Sequence, residues 1–127
     1  MSYLVDSSAW VSYFNGSDAG KEVDSIINSK NKIYIISPII SEVISFAKRN
    51  KIDCDLVYEV LLKCSELIPI SNTAAKKAGL FHAQKRLADV NFPLVDALIL
   101  AVADESGLKI ITKDSHFKSF KNVLLLK

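Results

Sequence analysis

Four carboxylates stand at scattered points of the sequence where chemistry could be done: Asp6, Glu42, Asp96 and Asp114. Carboxylates are hard oxygen donors that repel one another when crowded, and a buried one is costly unless something positive holds it. Gathered together, they point to a hard divalent cation such as Mg²⁺ or Mn²⁺. No His or Cys accompanies them at motif spacing, which argues against zinc. Asp96 is set among Leu94, Val95, Ala97, Leu98, Ile99 and Leu100, and Glu42 flanks the stripe Ile39, Val43, Phe46, so both are expected in apolar surroundings. Each acid also has a plainer explanation. Asp6 can cap a helix, Glu42 can pair with Lys48, Asp96 can answer a helix dipole, and Asp114 can be a turn residue. Those explanations treat the acids one at a time and do not account for their meeting at one place.

The elements that carry them decide whether they meet. "YLVD" reads as a short buried strand, and "SSAWVSYF" follows with Ala9, Trp10, Tyr13 and Phe14 at helical spacing. The aromatic residues of that segment are expected in the core. After the turn "NGSD", the segment "DAGKEVDSIINS" is amphipathic through Val23, Ile26 and Ile27. "KIYIIS" is β-branched and aromatic, a second strand. "SPIISEVISFAKRN" reads as a helix with Ser37 as cap and Pro38 in the first position. "CDLVYEVLLKCSE" is a further amphipathic helix, and "LIPIS" a short extended piece that Pro69 keeps from being a central strand. "NTAAKKAGLFHAQKRLA" reads as a long helix. "NFP" breaks it, and "LVDALILAVADESG" is a nearly all-apolar helix ending at Gly107. "KIIT" and "NVLLL" are the last strands, separated by the loop "KDSHFKSF".

Strands that are short continuous apolar runs, alternating with helices, describe a parallel sheet covered on both faces. The expected fold is an α/β/α sandwich with a central, mainly parallel sheet of four or five strands. Asp6 ends the first strand, and Asp114 comes two residues after "KIIT". Glu42 and Asp96 lie in the first turns of helices that start from the same edge. All four are therefore predicted at the carboxyl edge of the sheet, where α/β proteins bind ligands.

Composition narrows the class. The chain has 127 residues, half of them hydrophobic and 24% charged, enough for one domain with a real core. No apolar run reaches the roughly 18–20 residues of a membrane span, and no leader pattern is expected, so the reading is cytoplasmic with no membrane contact. Cys54 and Cys64 share one expected helix, about 15 Å apart along its axis, which forbids a disulfide between them. The net charge of +2 does not by itself announce a nucleic acid. Its basic residues cluster as Lys48, Arg49 and Lys51, as Lys76 and Lys77, as Lys85 and Arg86, and as Lys118 and Lys121, patterns that solvated helix faces also produce.

Taken together, "VDSSAW", "SEVISF", "PLVDALILAVADESGLKIIT" and "TKDSHF" resemble the PIN domain, most closely the toxin nucleases of VapC type, in that family's order and across essentially the whole chain. The resemblance implies one PIN domain over residues 1–127 that cleaves RNA with Mg²⁺ or Mn²⁺. It assigns the metal-binding and catalytic acids to Asp6, Glu42, Asp96 and Asp114, with Ser7 and Thr112 as supporting hydroxyls. It also implies a cognate antitoxin that covers the acidic pocket, and a homodimer. One departure stands out. Many relatives carry a further acid in a "D-x-D-F" arrangement, and here the text is "DSHF", with His116 in that place: a metal or phosphate contact, or a plain loop histidine.

The expected chemistry is metal-assisted hydrolysis of an RNA phosphodiester. Basic side chains must offset the acids to attract a polyanion, and Lys48, Arg49, Lys85, Arg86 and Lys113 are the candidates. Rival readings are a phosphatase-like domain with Asp6 as nucleophile, which Ser8 disfavours because that chemistry needs a second Asp two residues on, a non-catalytic RNA-binding module, and a nuclease of housekeeping RNA processing.

Overall fold

The computed structural model describes residues 1–127. Five strands form one sheet: β1 (Ser2–Val5), β2 (Lys32–Ile35), β3 (Glu66–Leu67), β4 (Lys109–Thr112) and β5 (Val123–Leu125). Six helices connect them: α1 (Ser7–Asn15), α2 (Asp18–Ile27), α3 (Ser37–Arg49), α4 (Cys54–Cys64), α5 (Asn72–Lys85) and α6 (Leu94–Ser106). The strand order is β3-β2-β1-β4-β5 and every pairing is parallel. This is the expected three-layer sandwich, with five strands. The central strands are apolar without alternation because helices cover both faces: Leu4, Val5, Ile110 and Ile111 are all buried.

The strand order is what builds a site. The chain moves outward from β1 to β2 to β3, then crosses back to lay β4 on the other side of β1. Connections leaving β1 and β4 therefore diverge, and a crevice opens between the carboxyl ends of these two neighbours. Their register, Leu4 opposite Ile110 and Val5 opposite Ile111, brings Asp6 level with Thr112.

The helices pack by the logic of their sequences. α6 is apolar on nearly all sides because it is wedged between the sheet and α5, burying Ala97, Ile99, Val102 and Ala103. At 13 residues it is about 20 Å long, and no helix of the molecule is long and apolar enough to cross a membrane. Gly107 ends it in the left-handed conformation, φ 65°. α1 and α2 meet so closely that a Cβ on Gly20 would stand 1.9 Å from the Ser12 carbonyl oxygen. Trp10 is fully buried, with Tyr13 and Phe14 packed edge-on and stacked around it and half-buried.

Two local expectations need correction. Ser37 does not cap α3; it is the first helical residue, Pro38 the second, and Ile36 occupies the cap position with no side-chain bond. Ile36 is fully buried at the end of β2, and the proline's missing N–H leaves one fewer donor to cap. α5 stops at Lys85 and continues as a turn rather than as helix to Ala88. "LIPIS" is a short extended piece at the sheet edge, as expected: Leu67 ends β3, Ile68 donates once more to Ile35, and Pro69 follows outside the sheet. Cys54 and Cys64 open and close α4 as free thiols, as expected.

Candidate metal centre

Asp6 leaves β1 in an extended conformation and becomes the N-cap of α1. Its Oδ1 accepts from the Ser7 N–H at 2.7 Å. Its Oδ2 accepts from Ser8 Oγ at 2.9 Å and from Thr112 Oγ1 at 2.8 Å. The cap explanation of Asp6 is therefore correct and incomplete, because two further hydroxyls hold the same carboxylate. Each hydroxyl has one proton, and both are used on Asp6. Their lone pairs then accept backbone donors of the strand-end loop: Lys113 N–H on Ser8 Oγ at 3.0 Å, and Asp114 N–H on Thr112 Oγ1 at 2.9 Å. A closed network thus joins the ends of β1 and β4 across the crevice. Ser8 entered the sequence reading only as an argument against a rival. Its part here depends on the β1–β4 register, which no local pattern reveals.

Asp96 is the third residue of α6, only 7% exposed, and makes no capping bond. Its Oδ2 is buried without a hydrogen-bond partner, and so is Nδ1 of His116. The two atoms face each other at 3.4 Å, and the same nitrogen lies 3.5 Å from Asp114 Oδ1. Ligand atoms of Asp96, Asp114 and His116 all fall within 4.8 Å of one another. Asp114 also accepts from the His116 N–H at 2.9 Å, so its turn role is real and coexists with its place in the cluster. The sequence places no histidine with the acids at motif spacing and leaves His116 open between a metal or phosphate contact and a loop residue; a one-turn 3₁₀ segment, Ser115–Phe117, folds it back among the acids.

Glu42 differs from the other three acids. It is exposed, contrary to the apolar surroundings expected for it, and no ion pair joins it to Lys48. It remains close enough to the cluster for Ser7 and the charge of Asp6 to act on its proton affinity.

Proton affinities record how crowded the negative charge is. Burial first, then the charges of Asp6 and Asp114, push Asp96 up to about 7, with His116 acting in the other direction. Burial raises Asp6 as well, although its bonds from Thr112, Ser8 and Ser7 oppose the rise. Glu42 is raised by partial burial, relieved by Ser7 and reinforced by Asp6. All three shifts say that the pocket holds more negative charge than it can solvate. The orphaned buried oxygen of Asp96, the Asp114 carboxylate and the His116 ring nitrogen make a donor set that fits a divalent cation, with Asp6 near enough to add its charge but outside that group of ligand atoms.

The basic candidates divide. Lys85 Nζ sits 5.5 Å from the ring centre of Phe120 and 5.9 Å from that of Phe92, whose ring is 6.0 Å from His116. Arg86 caps the same end of α5, and Lys113 is exposed between Thr112 and Asp114. Lys48 and Arg49 lie in the last turn of α3. Six residues separate Lys48 from Glu42, roughly 9 Å of helix leading away from the sheet's carboxyl edge.

The PIN domain family profile matches residues 3–123. A VapC ribonuclease of Mycobacterium bovis is 30% identical over 122 residues, 90% of this chain and 87% of that protein. Ribonuclease VapC11 of Mycobacterium tuberculosis matches to the same extent. Among solved structures, a toxin–antitoxin complex from Klebsiella pneumoniae superposes with a TM-score of 0.74 at 23% identity, covering 96% of this chain and 95% of that one. Mycobacterium tuberculosis VapC20, described as a sarcin–ricin loop cleaving toxin, does so with a TM-score of 0.76 at 16% identity, covering 98% and 99%. At these identities the superpositions speak for the fold alone.

Proposed function

The chain belongs to the PIN domain family, and from that premise we propose that it is a Mg²⁺- or Mn²⁺-dependent endoribonuclease of VapC type, the toxin of a toxin–antitoxin pair. The observation that carries this reading is the orphaned Asp96 Oδ2, buried against His116 and Asp114 beside the hydrogen-bonded Asp6. Residues 1–127 act as one PIN domain in the cytoplasm.

Asp6, Asp96 and Asp114 hold the ion, with Glu42 at the rim. A bound divalent ion supplies positive charge to the scissile phosphate and acidifies a water molecule. The protein's own contribution is positional. Ser7, Ser8 and Thr112 fix both oxygens of Asp6, so the carboxylate needs no rearrangement when substrate arrives. Glu42, exposed and with a raised proton affinity, is placed to accept the proton of the attacking water on its carboxylate. Lys85 and Arg86 at the end of α5 and Lys113 after β4 offset the charge of the crevice for a phosphate backbone, and Lys48 and Arg49 serve an outer stretch of RNA.

The homodimer and the antitoxin need apolar surface, and two stretches offer it. Leu56, Tyr58 and Leu62 are exposed along α4, and Leu80, Leu87 and Val90 at the end of α5 and the turn after it. The test of the whole reading is direct. Purified protein should cut a structured RNA with Mg²⁺ or Mn²⁺ and stop with EDTA. Asp6→Asn and Asp96→Asn should abolish cutting while remaining folded. Variants that cut as well as the parent would remove these acids from the chemistry. Growth arrest on expression, relieved by a small protein encoded next to it, separates a toxin from a housekeeping nuclease.

A further inference from the structure

We propose that His116 is itself a metal ligand through Nδ1, giving this centre a nitrogen donor and a preference for Mn²⁺ over Mg²⁺. The inference deepens the metal-dependent reading above and rests on it.

The geometry distinguishes a ligand from an ion-pair partner. A histidine that served Asp96 or Asp114 as a proton donor would approach one oxygen to about 2.8 Å. Here Nδ1 stands 3.4 Å from Asp96 Oδ2 and 3.5 Å from Asp114 Oδ1, nearly equidistant and bonded to neither. Donor atoms about 2.1 Å from one small divalent ion are spaced by roughly 3.0–3.5 Å when they subtend 90–110° at it. The nitrogen therefore keeps the separation of two ligands that share an ion. The opposing atom, Asp96 Oδ2, belongs to a side chain more than nine-tenths buried that has no partner of its own.

The imidazole is also held for the purpose. The His116 N–H is tied to Asp114 Oδ1, which fixes the backbone of the 3₁₀ turn, and the ring rests 6.0 Å from the buried Phe92 ring. Replacing an oxygen donor by imidazole changes which ion the site favours. Mg²⁺ takes oxygen ligands almost exclusively, whereas imidazole suits the transition metals.

The experiment uses Mn²⁺ as a spin probe on the full chain without RNA. Electron spin-echo modulation of the Mn²⁺-loaded protein should show a directly coordinated ¹⁴N, and that signal should vanish in His116→Ala and His116→Gln. By titration, His116→Ala should weaken Mn²⁺ roughly tenfold or more and leave Mg²⁺ within about twofold. Mn²⁺ bound with no ¹⁴N coupling, or a ¹⁴N signal that survives both substitutions, overturns the ligand assignment and leaves the metal-dependent nuclease standing. Equal losses for both ions overturn the preference. A protein that binds no Mn²⁺ at any attainable concentration overturns this inference and the metal-dependent reading together. The wild-type spectrum needs no variant, so a misfolded substitution cannot decide the matter.

Discussion

Replacing Asp96 with Asn should make the metal-free protein more stable, and increasingly so as pH rises. Asp96 moves from an ordinary 3.8 to about 7 on folding, and at ~1.4 kcal/mol per unit the full shift corresponds to about 4 kcal/mol. The sign follows from proton counts. Between those two values the folded chain holds a proton on Asp96 that the unfolded chain has lost, so stability falls as pH rises through the window and is flat above about 7. Between pH 5 and pH 8 the parent protein should lose about 2–3 kcal/mol from this group. Asn cannot ionise and escapes that loss. Urea denaturation in EDTA at both pH values measures it, with the difference between variant and parent growing by at least ~1 kcal/mol from pH 5 to pH 8. Saturating Mn²⁺ should close more than half of that gap, since an ion at 100 times its dissociation constant adds about 2.7 kcal/mol to the parent alone. A variant less stable than the parent at pH 8 in EDTA, or a difference that does not change with pH, would refute the claim that Asp96 stores a buried charge beside other acids.

Four other outcomes follow from the structure. Thr112→Val removes a donor to Asp6 and the acceptor of the Asp114 N–H, and should cost about 1–3 kcal/mol in urea denaturation, with Thr112→Ser recovering most of it. Gly20→Ala drives a methyl group into the Ser12 carbonyl and should cost at least ~2 kcal/mol by the same assay. In an Asp6→Asn background that cannot cut, Lys85→Ala and Lys113→Ala should each lower the salt dependence of RNA binding by about 0.7 in the log–log slope, measured by fluorescence anisotropy, with a smaller change for Lys48→Ala. Mn²⁺ affinity measured by titration calorimetry should fall by up to about tenfold per pH unit below 7, because Asp96 must release its proton to bind; a flat profile from pH 5.5 to 8 would contradict that.

What the sequence shows and what it hides divide along a physical line. "YLV", "KIYI" and "KIIT" read as strands because central parallel strands are buried on both faces and must be apolar throughout. Once those strands are placed, chain direction alone brings Asp6, Asp96 and Asp114 to one edge. The same reasoning was available for Lys48 and Arg49: a helix that starts at the carboxyl edge ends away from it, so residues late in α3 cannot crowd the crevice. The part played by Ser8, and the choice between the readings open for His116, were out of reach for a different reason. Ser8 holds Asp6 alongside Thr112, 104 residues distant, and the meeting of the two hydroxyls depends on a strand register that hydrophobicity does not specify. The aim of the His116 ring depends on a 3₁₀ turn and on its packing near Phe92, and a loop with Ser, His and Lys gives no periodicity from which to read either.

The two buried aspartates have been given opposite treatments, and the contrast explains how one pocket can be both folded and ready to bind. Asp6 receives three close hydrogen bonds that partly offset the cost of its burial and hold it rigid at the junction of β1 and β4. Asp96 has no bond to Oδ2 and stands near half-protonation at neutral pH. If both were hydrogen-bonded, the pocket would carry two settled negative charges and gain less from a cation. If neither were, the crevice would have no fixed point against which to place one. A network that secures one carboxylate while leaving its neighbour unsatisfied keeps the fold intact without the ion and reserves a buried charge for it. The side chains that create this asymmetry, Ser8 and Thr112, make their hydrogen bonds to Asp6, to each other and to the loop behind it.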